Sequence, residues 1–169
     1  YDIGYLPQAA ARRDVRRMAV NRPNARGVPV LAHEGVFSLS DAADLAVARA
    51  VDVYCIKLYK VGGLTPARKI AALGEAHNIL INSGGLAVAS QFEAAASCHF
   101  CATVPRRRTF GAAEFAFGVG PKGPDPLVAE GAMSIVDGKV EVPMSPGLGL
   151  TLDYDGLEHM TLQKFEVRA

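Results

Sequence analysis

The chain has 169 residues, half of them hydrophobic and 21% charged, proportions that suit one globular domain with a sizeable core. A formal net charge of +1 gives no ground for a nucleic-acid or anionic-membrane partner, and no apolar run is long enough to span a bilayer as a helix. Three cysteines, an odd number, suit a reducing, cytoplasmic compartment, and the opening YDIGYLPQ is no signal peptide but reads like the middle of a protein.

Residues 2–6 form a short strand candidate cut off by Pro7. Residues 9–20 carry a helical pattern in which Arg12, Arg13, Arg16 and Arg17 form a solvated face. A connection over 21–27 contains a proline and a glycine. VPVLA, residues 28–32, then reads as a buried strand ending at the titratable pair His33 and Glu34. Ser38 or Ser40 can cap the helix that follows, and Asp41 favours its positive end. A second buried strand over 53–58 ends near Lys57, and the chain breaks at Gly62-Gly63. Thr65 followed by Pro66 predicts a helix over about 65–77, with the cap residue first and proline at the first helical position. Residues 28–72 are therefore a β-α-β-α unit with its chemical groups near strand C-termini, the edge at which parallel α/β folds bind ligands.

The alternation repeats. Residues 79–82 are a short strand ending in SGG, and 86–104 an alanine-rich helix stopped by Pro105. Arg106 to Arg108 make a basic loop, and 112–118 read as the last strand, carrying Glu114. Proline and glycine dominate 121–126, and 134–143 predict a hairpin turning at Asp137-Gly138. PGLGLTLD is an irregular wrap before a final short helix or strand. Cys98 and Cys101 lie inside a helical pattern with no second cysteine pair, so they read as buried packing, as does Cys55 on its core strand.

The count is about five parallel strands and four helices. An open doubly wound sheet would carry a glycine-rich phosphate fingerprint after its first strand, and none is present. A complete eight-unit barrel takes about 250 residues, so a barrel requires strands beyond this chain.

PVLAHEGVFS, DVYCIKLYKVGGLTPARKIAALGEAHNI, the SGG turn, the helix with SCHFCATVP, GAAEFAFG and the closing VEVPMSPGLGLTLD, in that order, resemble the muconate cycloisomerase and mandelate racemase branch of the enolase superfamily. The resemblance implies an α/β fold, the C-terminal part of a modified (β/α) TIM barrel. Strands four to eight would fall in 1–120 and the hairpin and wrap in 121–169, with a capping domain and three strands outside this chain. Five strands alone would leave two open edges and an uncovered apolar interior.

The implied chemistry is removal of a proton α to the carboxylate of a small substrate, giving an enolate held by Mg2+ or Mn2+. Lys57 matches the catalytic lysine ending the sixth strand, while Lys60 lies in the loop and reads as structural. Glu34 is the implied metal ligand, and His33, where related cycloisomerases show an aspartate, either binds a softer metal or hydrogen-bonds behind the ligands. Pro7 stands where the family's fourth-strand glutamate ligand belongs, and Ala89 where a glutamate contacts substrate. Ser83, Gly84 and Gly85 match a substrate-facing turn, and Glu114 matches an acid that orients substrate or a lysine, or forms a rim salt bridge. A homo-oligomer or companion chain would supply the missing strands. The other reading is a non-catalytic or partner-dependent barrel subunit with a degraded metal site.

Overall fold

A computed structural model describes residues 3–8, 10–12, 14–85, 90–119 and 125–166. Four strands, β1 (Leu6–Pro7), β2 (Val30–Ala32), β3 (Val53–Ile56) and β4 (Leu80–Ser83), form one parallel sheet in chain order. Helices α1 (Val15–Asn24), α2 (Leu39–Val47) and α4 (Leu64–Ala76) fill the crossovers, with the single turn α3 (Leu58–Val61) between β3 and α4. Helix α5 (Gln91–Ala102) follows β4. Each crossover advances the sheet by one strand, which is how a (β/α) barrel is wound.

Side-chain parity explains the layers. Successive residues of a strand face opposite sides, so Val30, Ala32, Tyr54, Ile56 and Ile81 pack against Ala42, Leu45, Ala67, Ile70 and Phe100 of the helices. Leu31, Val53 and Cys55 point the other way and gather with Leu80 and Phe110. Those three inward residues are at most 1% exposed, so the uncovered interior expected of a partial barrel is not found at these positions. Phe110 covers them, and Tyr5, at the opposite edge of the sheet, meets the Phe110 ring edge-on at 6.0 Å.

Several elements differ from the sequence reading. Pro7 lies within β1 and pairs with Leu31, because the parallel ladder is served by its neighbours: Leu6 N donates to Pro29 O and Gln8 N to Leu31 O. Helix α1 starts later than expected because Asp14 caps it, accepting from Arg17 N at 2.9 Å. It runs through Pro23, its last turn held where Arg22 reaches Asp52 and the Arg49 carbonyl. Ala9 and Arg13 of the expected helix lie outside the described residues, and Arg12 precedes it, stacked 3.4 Å over the Phe37 ring. Ser38 is the cap of α2. Thr65 is not the cap of α4: Gly62 and Gly63, both at positive φ, turn the chain so that the helix already begins at Leu64. Helix α5 begins behind Ser90, which accepts from Phe92 N.

The expected fifth strand over 112–118 is absent. The ladder ends in a single parallel bridge, Ile81 to Thr109, and Glu114–Gly118 coil into a 3-10 turn. The cause is Asn82, whose side-chain amide donates to Phe110 O at 3.1 Å and Ala112 O at 3.0 Å and so takes carbonyls that a strand would use. Arg106–Arg108 form another 3-10 turn. The hairpin is as expected, β6 (Ile135–Val136) and β7 (Lys139–Val140) joined through positive φ at Asp137 and Gly138. Outside it, β5 (Val128–Glu130) pairs antiparallel with β8 (Thr151–Leu152), and α6 (Tyr154–Met160) closes the tail. Met133, Val140, Leu148 and Leu150 seat this wrap on Ala94, Cys98 and Phe115. Among the described residues no helix is long and apolar enough to cross a membrane.

Candidate active site

The C-terminal ends of β2, β3 and β4 bring His33–Glu34, Lys57 and Gly84–Gly85 to one edge of the sheet, and the turn after Ala113 adds Glu114. Lys57 follows Cys55 by two residues, so strand parity turns both inward, away from the helix-facing Tyr54 and Ile56. The lysine is only 7% exposed. Its stem lies under Gly84, where a Cβ would come within 2.5 Å of Lys57 Cγ and 2.7 Å of Cys55 Sγ. Gly85 stands likewise against the backbone of Phe115. The pair thus has no side chains because two neighbouring segments occupy that space. Ser83 faces the opposite way, its hydroxyl donating to Ser97 O of α5 at 3.5 Å; what the turn offers toward the site is therefore backbone.

His33 is the hub. Its Nδ1 lies 2.9 Å from Glu34 Oε1 and its Nε2 3.9 Å from Glu114 Oε2. Cys55 Sγ is 3.9 Å from both oxygens of Glu114. His33, Cys55 and Glu114 each offer a donor atom within 4.8 Å of the others, whereas Glu34 turns toward His33 and Lys60. Lys60 lies in α3 rather than a loop: its ammonium donates to the His33 carbonyl and sits 3.7 Å from Glu34 Oε1, with a side chain 2% exposed.

The electrostatics follow from this packing. Burial pushes the Cys55 thiol up to about 12, and the Glu114 charge adds to it. Burial lowers the Lys60 ammonium, with Glu34 opposing. Burial alone would raise Glu34, but Lys60 and the His33 hydrogen bond outweigh it and hold the carboxyl below its usual range.

Sequence reasoning missed three contributors. Cys55 was legible as core and, by its parity with Lys57, as inward-facing, but its meeting with His33 and Glu114 was not. Gln8 accepts from His33 N at 3.1 Å and Gly35 N at 2.5 Å through one oxygen, fixing the backbone that carries the histidine; its place beside Pro7 was the signal. Lys60 had no signal beyond three-residue spacing from Lys57, which a strand would have directed differently. Ala89 lies outside the described residues, so its place relative to the site is not part of this geometry.

The enolase C-terminal domain-like sequence profile matches residues 1–156. Chloromuconate cycloisomerase CbnB of Cupriavidus necator is 36% identical over 138 residues, covering 80% of this chain and 35% of that protein. The crystal structure of 2-chloromuconate cycloisomerase from Rhodococcus opacus 1CP superposes with a TM-score of 0.82 at 29% identity, over 93% of this chain and 41% of that one. The substrate-liganded L-Ala-D/L-Glu epimerase from Bacillus subtilis superposes with a TM-score of 0.75 at 27% identity, over 88% and 39%. This chain therefore spans little more than a third of the length of the curated relatives it matches.

Proposed function

The chain belongs to the enolase C-terminal domain-like family, and from that premise we propose that it carries the proton-transfer lysine of an isomerase acting on a small carboxylate, in the manner of a cycloisomerase or an epimerase. The observation that carries this reading is Lys57, 7% exposed, held under Gly84 at the ligand-binding edge of the sheet. A lysine buried there is costly without anionic company, which Glu34, Glu114 and a substrate carboxylate supply. In the manner of an epimerase its amine takes the proton from the carbon next to the substrate carboxylate, and in the manner of a cycloisomerase its ammonium gives a proton to that carbon. Gly84 and Gly85 keep the approach free of side chains, and Glu114 sets the orientation of what enters. The three free cysteines suit a reducing, cytoplasmic setting.

The resemblance brings Mg2+ or Mn2+ with it, held by Glu34 with help from His33. The residues present do not fit such an ion. A hard cation wants an octahedron of oxygens, yet Pro7 replaces one acid, Glu34 is engaged by His33 and Lys60, and the donors that converge are nitrogen, sulfur and oxygen. No step is therefore routed through a Mg2+ ion.

The test is Lys57→Met, assayed for lactone formation from chloromuconate and for exchange of the α-proton of an Ala-Glu dipeptide with solvent deuterium. Turnover and exchange are expected to fall at least about a hundredfold with the fold retained by circular dichroism. Undiminished exchange in Lys57→Met would remove the residue from the reaction and leave a scaffold role as the better reading.

A further inference from the structure

We infer that His33, Cys55 and Glu114 form a binding site for a borderline transition-metal cation of the Zn2+ class. The donors are an imidazole nitrogen, a thiol sulfur and a carboxylate oxygen, all within 4.8 Å of one another. In a tetrahedral zinc site, bonds of about 2.0 to 2.3 Å place donor atoms roughly 3.3 to 3.8 Å apart. Here Glu114 lies 3.9 Å from both Cys55 Sγ and His33 Nε2, and the cysteine and histidine donors lie within 4.8 Å of each other, so side-chain movements of about 1 Å bring the three donors to ligand spacing.

A second observation points the same way. The histidine's other nitrogen, Nδ1, hydrogen-bonds Glu34 Oε1 at 2.9 Å, which fixes the ring and leaves Nε2 facing Cys55 and Glu114. Metal-binding histidines are commonly held by a carboxylate in this way, and the partner also raises the basicity of the ligating nitrogen. The supports are rigid: Cys55 lies within β3, His33 has its backbone tied to Gln8, and Asn82 pins the segment that leads to Glu114.

Ligand softness selects the ion. Thiolate and imidazole suit Zn2+ or Co2+, and a hard ion gains nothing from sulfur. On binding, Cys55 gives up its thiol proton to solvent and the thiolate takes its place on the metal. Thiolate and carboxylate then balance the two charges of the cation, which matters because Lys57 and Lys60 lie close by. Three protein donors leave one tetrahedral position, open to water or a substrate oxygen. The inference does not depend on the proton-transfer reading, since binding is measured without substrate.

The experiment titrates the metal-stripped protein with Co2+ and records the near-ultraviolet thiolate-to-cobalt band. We expect a band that saturates at one equivalent, is displaced by equimolar Zn2+ and is indifferent to a large excess of Mg2+. The band should vanish in Cys55→Ser and persist in the Cys98→Ser/Cys101→Ser double variant. Glu114→Gln, at a half-buried position, should weaken Co2+ binding at least about tenfold, and melting of each metal-free variant checks that it folds. A wild-type spectrum without the band, or a band that survives Cys55→Ser, would overturn the assignment.

Discussion

At the scale of single residues, Gly84 shows how an absent side chain builds the site. An alanine there would put its Cβ 2.5 Å from Lys57 Cγ and 2.7 Å from Cys55 Sγ, distances no real contact tolerates. Both neighbours belong to β3 and its end, so the side chains must move and the lysine leaves its position. Gly84→Ala should therefore cost about 1 to 3 kcal/mol of stability, the usual effect of overpacking, seen as a lower urea midpoint with an unchanged slope. Deuterium exchange into substrate should fall by more than the stability loss alone accounts for; an exchange rate equal to wild type would show that the lysine tolerates displacement. Of these residues, Lys57 was legible in the sequence because an inward lysine two positions from Cys55 on an apolar strand has a fixed direction. The convergence of Cys55 with His33 and Glu114 was not, because it depends on which strand ends meet, and no periodicity within one strand records that.

Among the elements, the alternation of strand and helix was legible from hydrophobic period alone, and the Ser38 cap and the Asp137-Gly138 hairpin followed from local chemistry. What failed was whatever depended on a neighbour. Residues 112–118 place Phe115 and Phe117 at alternate positions as a strand would, yet β4 offers the segment a side-chain amide where a backbone partner was expected, and it coils instead. Asn82 thus decides the path of the segment carrying Glu114, through bonds of 3.1 Å and 3.0 Å to Phe110 O and Ala112 O. Its replacement by alanine removes two part-buried hydrogen bonds, each worth about 0.5 to 1.5 kcal/mol. Asn82→Ala should lower stability by about their sum and speed amide hydrogen exchange over 109–119, while β2 and β3 keep their protection. Uniform acceleration across all strands would instead make Asn82 a general core residue with no special hold on the Glu114 turn.

The whole molecule poses a question of edges. Strand β1 is two residues long, and among the described residues no strand pairs with its outer side. The opposite side of the sheet ends in one bridge to Thr109. Unpaired edges of this kind template association with another chain. Ile3 and Tyr5, 53% and 41% exposed, extend the β1 edge with apolar surface. The inner face supplies no comparable drive, because Leu31, Val53 and Cys55 are already buried within the chain. In the 2-chloromuconate cycloisomerase structure the matched part is 41% of the chain, so more polypeptide accompanies the same fold there. These 169 residues expressed alone should therefore associate through the β1 edge, and light scattering should give a mass that is a multiple of 17.8 kDa. Placing a charge on that edge with Ile3→Lys should reduce the association without lowering helix content, since Ile3 lies outside the helix-facing core and the Tyr5–Phe110 contact is kept. A single 17.8 kDa species that unfolds cooperatively would mean that the Tyr5–Phe110 contact closes the sheet well enough for the segment to stand by itself.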